Sequence, residues 1–140
     1  MLRTFTICCL FCCLASLVAT AQDNLAPHPI GVFVESCLEK NVSTVGMMQC
    51  FEQGYTKWDA ELNKQYKQLS TRLNADQKAA LLAAQRQWIA YRDLEFKAQT
   101  ALYTGMEGTM YRPMQASDRM ELVKKRALDL KAYNDLLDSK

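Results

Sequence analysis

The stretch MQCFEQGYTKWDAELNKQYKQLSTRL, residues 48–73, carries the longest regular pattern in the sequence. Its apolar residues recur at alternating steps of three and four for about seven turns, which is the period of one helix face. A face this narrow is typical of a helix in a bundle. The stretch therefore predicts one long bundle helix, whose inner face comprises Met48, Phe51, Tyr55, Trp58, Leu62, Tyr66, Leu69 and Leu73.

Similar patterns on both sides predict three more helices. A short one precedes the break at 41–44, with an apolar face formed by Ile30, Phe33, Val34, Cys37 and Leu38. Asn74 followed by Gln77 resembles a capping box, which would open a third helix running towards Tyr103. A last helix follows the loop 104–113, with a face formed by Met120, Val123, Ala127, Leu130, Tyr133 and Leu137. The predicted fold is all-α: a small antiparallel helical bundle of one short helix and three longer ones.

The N-terminus has the features of a secretory signal peptide. Arg3 supplies a positive start, an apolar run follows, and Ala19-Thr20-Ala21 forms a small-residue cleavage site. An uncleaved membrane anchor is the alternative, but the run is short for a span and no stop-transfer charges follow. We expect residues 1–21 to be removed and 22–140 to form one domain. Its first residues, 22–29, would be a flexible tail in which His28 is solvated.

Removal of residues 1–21 changes the cysteine count from six to two. Cys37 and Cys50 remain, and two cysteines in an exported protein predict one disulfide. The predicted bond would staple the short helix to the long one. Two free thiols in a reducing compartment are the alternative, which requires the signal-peptide prediction to fail as well.

Charge excludes some classes of partner. Arg3 is the only charged residue in 1–21. Residues 22–140 therefore contain 16 basic and 15 acidic residues, a net charge of +1. Both signs alternate along the helices, and no basic stripe for nucleic acid or polybasic patch for a membrane surface is present. We expect neither a nucleic-acid partner nor membrane insertion of residues 22–140.

The sequence also argues against catalysis. Nucleophilic catalysis requires a base next to the nucleophile, whereas the chain has one histidine, His28, in the predicted tail. A zinc site would need three or four His, Cys or carboxylate ligands at suitable spacing. We predict neither an enzyme nor a metal or cofactor site.

The segment QRQWIAYRD, residues 85–93, is richer in arginine and large aromatics than a plain amphipathic helix needs. Reflection of the chain about Asn74 brings Asp59 within reach of Arg92 and sets Asn63 opposite Gln85. Polar groups paired across such an interface would fix its register. This predicts an interhelical network of Asp59, Asn63, Tyr66, Gln85, Trp88, Tyr91 and Arg92. A ligand-binding patch on the outer face of this hairpin, around Arg86 and Tyr91, is the alternative.

These motifs resemble the family named for the lysozyme inhibitor LprI. WDAELNKQY at 58–66, QRQWIAYRD at 85–93 and GTMYRPMQ leading into KKRALDL at 124–130 carry the resemblance, with Cys37 and Cys50 before them. It extends over essentially all of residues 22–140 and implies an exported lysozyme inhibitor that protects the cell wall. Members often carry a second disulfide, whose two positions correspond here to Phe96 and the neighbourhood of Asp118. We expect Phe96 to fill that space.

The function remains open between two classes at this point. One is a periplasmic or secreted inhibitor of lysozyme, and the other is a periplasmic immunity protein, or an envelope interaction protein with another partner such as a toxin. The loop TGMEGTMYRP, residues 104–113, is the expected contact surface because binding residues concentrate on loops of rigid scaffolds. The candidates are Tyr103, Glu107, Tyr111 and Arg112. Alternatively the loop is only a connection, with Tyr111 in the core.

Overall fold

Helices account for nearly all of residues 27–139, the part of the chain that the computed structural model describes. In chain order they are α1 (Pro29–Lys40), α2 (Thr44–Arg72), α3 (Ala75–Thr104) and α4 (Tyr111–Asp138). No strand occurs within this range. The all-α prediction of one short helix and three long ones is confirmed, while residues 1–21 and most of the expected tail lie outside the described residues.

Local side-chain hydrogen bonds define where the first three helices begin. The Ser43 hydroxyl accepts a hydrogen bond from the backbone N–H of Gly46 at the start of α2. Asn74 and Gln77 bond each other's backbone N–H groups at 3.0 Å, which is the predicted capping box. Each cap satisfies donors that the first helical turn leaves without partners.

The prediction that His28 is solvated in a flexible tail is wrong. Its Nδ1 accepts a hydrogen bond from the Ile30 N–H at 3.2 Å and so caps α1, with Pro29 in the first helical turn. Its ring also lies 4.4 Å from that of Trp58, measured between centroids. The histidine is therefore a structural residue that fixes the start of α1 against α2.

Contacts between the helices establish their directions. α1 runs antiparallel to α2, with His28 over Trp58 at one end and the predicted Cys37–Cys50 disulfide at the other. α2 and α4 run parallel, because Gln65 bonds Asn134 and Arg72 bonds Asp138 further along both helices. α3 returns between them in sequence and is antiparallel to both.

α2 and α4 form the core, and α3 lies at its side. Seven residues of α2 and six of α4 are buried, whereas Gln85 is the one buried residue among the 30 of α3. The buried apolar cluster comprises Val34, Trp58, Leu62, Leu69, Met120, Val123, Ala127 and Leu130. The predicted face of α2 is thus largely correct, and its principal partner is α4.

One predicted core position of α4 is wrong. Tyr133 is 53% exposed, and the next residue, Asn134, occupies the buried row after Leu130. A polar side chain can hold this position because its amide Nδ2 donates to the Gln65 backbone oxygen at 3.0 Å and to Gln65 Oε1 at 2.9 Å. These bonds link α2 and α4 in one register.

Gly54 marks the closest approach of three helices and gives a test of the packing. A Cβ at this position would lie 2.6 Å from Cγ2 of Val34 on α1 and 2.5 Å from Sδ of Met120 on α4. We expect Gly54→Ala to lower the free energy of unfolding by about 1–2 kcal/mol, because overpacking outweighs the helix preference of alanine. Urea unfolding followed by circular dichroism measures the change.

Gly31→Ala is the matched control for Gly54→Ala. A Cβ at Gly31, in the first turn of α1, meets nothing within 4 Å. We therefore expect it to stabilise the protein by about 0.5–1 kcal/mol. A stabilising Gly54→Ala would mean that α1 and α4 do not meet over α2 as described.

Candidate functional site

The inner residues of QRQWIAYRD contact α4 and not the polar residues of α2. Arg92 pairs with its neighbour Asp93 at 2.7 Å, and Asn63 donates to Asp59 within α2 at 3.1 Å. The predicted Asp59–Arg92 pair is therefore wrong, as is the juxtaposition of Asn63 with Gln85. The reflection about Asn74 assumed that α3 packs flat along α2, whereas α4 occupies that surface of α2.

Arginines from both helices stack against two aromatic rings of α3. Measured from guanidinium carbon to ring centroid, Phe96 lies 6.0 Å from Arg92 and 5.2 Å from Arg119. Trp88 lies 5.6 Å from Arg92 and 6.0 Å from Arg126. Cation–π contacts of this kind contribute about 0.5–1 kcal/mol each at partly exposed sites. The arginine–aromatic stack thus attaches α3 to α4 where few apolar side chains are buried.

Hydrogen bonds add to this attachment. Gln85 accepts two bonds from Arg126, at 3.0 and 3.1 Å. Arg119 donates to the Thr100 hydroxyl at 2.7 Å. Sequence reasoning missed both α4 arginines, although their spacing of seven residues places them on one helix face.

The predicted network divides into four environments. Gln85, Trp88 and Arg92 belong to the α3–α4 attachment. Asp59 and Asn63 form their own bond on the surface of α2, and Tyr66 packs against the core. Tyr91 is 52% exposed and lines a shallow groove between α3 and α4 with Leu122 and Leu128. Phe96 is half-buried and packs against the core, with its ring 6.1 Å from that of Tyr55.

A second polar group lies at the far end of the bundle. Gln65 donates to Glu61 at 2.6 Å, and Lys64 pairs with the same carboxylate at 3.2 Å. Burial raises the pKa of the Glu61 carboxyl, but the bonds from Gln65 and Lys64 outweigh it and leave the pKa below its usual value. Glu61 therefore stays ionised and holds the Gln65 amide that bonds Asn134.

The candidate binding residues lie at the end of the bundle where a short connection joins α3 to α4. The connection is shorter than predicted, because α3 ends at Thr104 and α4 begins at Tyr111. Tyr111 and Arg112 therefore lie in the first turn of α4 and not in a loop. The six connecting residues include Gly108, whose positive φ of 112° suits glycine.

We call this end of the bundle, residues 103–112, the loop end. Two of its tyrosines are held in position by contacts with other side chains. The rings of Tyr103 and Tyr111 lie 6.5 Å apart between centroids. The Tyr103 hydroxyl donates to the Asp118 carboxylate at 2.5 Å, and this bond raises the pKa of the phenol above its ordinary value. Tyr111 is half-buried beside it but does not enter the core cluster. These contacts limit the motion of both rings in the protein alone.

The other side chains of the loop end face solvent. Arg112 and Glu107 are exposed, and Arg112 makes no ion pair within residues 27–139. A cleft of about 510 Å³ separates the connection from the first turn of α4, with Arg112 and Tyr111 among its lining residues. Met106 lines the cleft, and two more exposed methionines, Met110 and Met114, follow at spacings of four residues, with Met110 71% exposed.

Metal binding and membrane spanning find no support in the described part of the chain. Between residues 27 and 139, no three His, Cys, Asp or Glu side chains are grouped so that they could hold a metal ion. No helix in this range is both long and apolar enough to cross a membrane.

One comparison with known proteins shows a family, and two others show similar chains. A family model described as lysozyme inhibitor LprI matches residues 37–130. The chain is 33% identical over 135 residues to protein R02472 of Rhizobium meliloti (strain 1021). That alignment covers 87% of this chain and 87% of the relative. It is also similar to a crystal structure from Burkholderia thailandensis, with a TM-score of 0.74 and 32% identity. That match covers 79% of this chain and 55% of the solved one, so the chain spans about half the length of that protein.

Proposed function

Because the chain belongs to the lysozyme inhibitor LprI family, we propose that it is an exported protein that binds a lysozyme and blocks its active cleft. The family match is the observation that carries this proposal. The features of residues 1–21 support export, and the Cys37–Cys50 disulfide suits an oxidising compartment. The protein protects the cell wall and performs no chemistry of its own.

We further propose that the loop end is the surface that meets the lysozyme. Lysozyme clefts present two carboxylates, and the planar guanidinium of Arg112 is suited to binding a carboxylate through two parallel hydrogen bonds. Arg112 is available for this because it is exposed and has no ion pair within residues 27–139. A free arginine beside a cleft is therefore the geometric feature that favours this end.

The surroundings of Arg112 suit a protein partner. Tyr111 offers an amphipathic ring whose position is already limited by Tyr103, so little side-chain entropy is lost on binding. The exposed Met106, Met110 and Met114 add flexible apolar surface, and methionine, tyrosine and arginine are enriched at interfaces. Together they form a rigid centre with an adaptable apolar edge.

A lysis assay tests the proposed function. Purified protein is added to bacterial cells with chicken-type or goose-type lysozyme, and the fall in turbidity is followed. We expect slower lysis by at least one of the two enzymes in proportion to the protein added. Undiminished lysis by both at a large molar excess would contradict lysozyme inhibition and leave an immunity or envelope partner to be sought.

Substitutions at the loop end test the proposed surface. We expect Arg112→Ala and Tyr111→Ala each to weaken inhibition about tenfold or more, which corresponds to about 1.4 kcal/mol of binding free energy. Arg112→Ala removes the donor to the cleft carboxylates, and Tyr111→Ala removes the adjoining ring. Inhibition constants from the lysis assay provide the measurement.

Matched controls lie on other surfaces. Tyr133→Ala removes an exposed tyrosine from the opposite end of α4, and Arg86→Ala removes an exposed arginine from the outer face of α3. Both are expected to inhibit like the wild type. Loss of inhibition in Arg86→Ala, with both loop-end variants active, would transfer the site to the outer face of α3.

A further inference from the structure

The groove between α3 and α4 contains two carboxylates that no cation of the described chain neutralises. Its volume is about 520 Å³. Glu95 of α3 and Asp118 of α4 both line it, and neither forms an ion pair with a lysine or arginine in residues 27–139. We call it the α3–α4 groove, and the lining residues that matter here are Tyr91, Glu95, Gln99, Asp118, Leu122 and Leu128.

The lysines beside the groove are paired with other carboxylates. Lys124 pairs with Glu121 at 3.0 Å, and Lys125 pairs with Asp129 at 3.0 Å, in both cases within α4. Glu95, by contrast, is half-buried on α3. Partial burial of an ionised carboxylate without a cation costs free energy. The groove therefore favours a cation that another molecule supplies.

A third acceptor in the groove favours a ligand with several hydrogen-bond donors. Gln99 follows Glu95 by four residues, so both side chains lie on one face of α3. Its Oε1 is buried and accepts no hydrogen bond from any residue between 27 and 139. Buried polar atoms nearly always have a partner. Because the terminal torsion of a glutamine is soft, the amide can turn Oε1 towards a donor that enters the groove.

Apolar side chains form the rest of the groove. Tyr91 is 52% and Leu128 37% exposed, and Leu122 is half-buried beside them. An arginine side chain packs its methylene stem on such a surface while its charged head group reaches acceptors beyond it. Its guanidinium carries five N–H donors and also stacks on tyrosine rings. Acceptors from two helices beside an apolar wall therefore suit arginine better than a small inorganic cation.

We propose that the α3–α4 groove binds an arginine side chain from a basic surface segment of a partner protein. The guanidinium lies between Glu95 and Asp118, and the stem packs on the apolar side chains. The groove adjoins the loop end, because Asp118 also accepts the hydrogen bond from Tyr103. On the proposed function, the arginine belongs to the lysozyme and the groove is its second point of contact. The binding chemistry itself does not depend on lysozyme and is tested first in its absence.

A short peptide tests the groove directly. The capped peptide acetyl-Leu-Arg-Leu-amide is titrated into the isotopically labelled protein to about 10 mM, which detects millimolar dissociation constants. We expect it to shift the NMR signals of residues 91–99 and 118–128. The matched peptide with glutamate in place of arginine should leave these signals unchanged. No shifts in the groove, or equal shifts with both peptides, would overturn the proposal.

Removal of one groove carboxylate tests the role of charge. Glu95→Gln keeps the shape of the side chain and should weaken binding of the arginine peptide about fivefold or more. Glu35→Gln makes the same change at an exposed position on α1 and should bind like the wild type. Circular dichroism checks that both variants are folded. Asp118 is left intact because its substitution would also remove the acceptor of Tyr103. Equal binding by the two variants would contradict an arginine site at Glu95.

The lysis assay with the same two variants tests whether the arginine belongs to the lysozyme. Glu95→Gln should inhibit about fivefold less well than Glu35→Gln. Equal inhibition by the two variants would overturn the assignment of the arginine to the lysozyme. If the wild type binds the arginine peptide but inhibits no lysozyme, the proposed function fails and the groove is supported.

Discussion

Trp58→Ala is expected to lower the free energy of unfolding by about 3–5 kcal/mol, the largest loss from any single change considered for this chain. Trp58 is 1% exposed and is the largest fully buried side chain of the core. It lies where α1 and α2 meet, with the His28 ring packed against it at an angle. Its removal therefore opens a cavity and also loosens the capped start of α1. Urea unfolding, compared at equal m-value, measures the change.

Trp88→Ala is the matched control. Trp88 is half-buried between the guanidiniums of Arg92 and Arg126, at the side of the core. Its loss removes less buried area and leaves space that the flexible arginines can fill, so we expect about half the effect or less. Equal losses for the two tryptophans would show that α3 is as firmly packed as α2 and α4, contrary to the structure.

Breaking the disulfide is expected to cost about 3 kcal/mol of stability. Cys37 and Cys50 are 13 residues apart, and a loop of that length corresponds to this magnitude in the chain-entropy account. Because Cys50 is buried, a serine there would bury a hydroxyl. The double substitution Cys37→Ser with Cys50→Ala avoids this second effect. Thermal or urea unfolding should show the loss with helix content largely retained.

Reduction of the wild-type protein provides the control for the double variant. A reductant should lower the stability of the wild type towards that of the variant and leave the variant unchanged. Mass spectrometry confirms that the reduced wild type has two free thiols. If its stability is nevertheless unchanged, the disulfide does not stabilise the contact between α1 and α2.

Local signals in the sequence predicted the helices well. The start of α3 was identified because Asn74 and Gln77 need only each other and the adjacent backbone to form their cap. The buried row of α2 was identified because the 3.6-residue period places Trp58, Leu62 and Leu69 on one side of any helix. Neither signal depends on which helix lies opposite.

The relations between helices were predicted less well. The expected Asp59–Arg92 pair required α2 and α3 to be immediate neighbours along their length, which one sequence cannot establish when α4 can compete for the same surface. The wrong choice of Tyr133 over Asn134 as a core residue also arose because burial depends on a neighbouring helix. An asparagine is buried there only because Gln65 supplies an acceptor from another helix. His28 was misplaced because its partner, Trp58, is 30 positions away in sequence.

The loop end was partly predictable. Tyr103, Tyr111 and Arg112 were selected from composition and glycine content, and the structure brings the two rings together beside the arginine. The bond from Tyr103 to Asp118 could not be foreseen, because it depends on the angle at which α4 leaves the connection. That bond gives the candidate surface its rigid centre.

Hydrogen exchange with and without lysozyme tests the central claim, that lysozyme binds at the loop end. The claim predicts slower amide exchange in residues 103–115 when a saturating amount of lysozyme is present. Exchange in residues 131–138, at the opposite end of α4, should not change. Protection confined to α3 or to the opposite end of the bundle, or no protection despite inhibition of lysis, would contradict it.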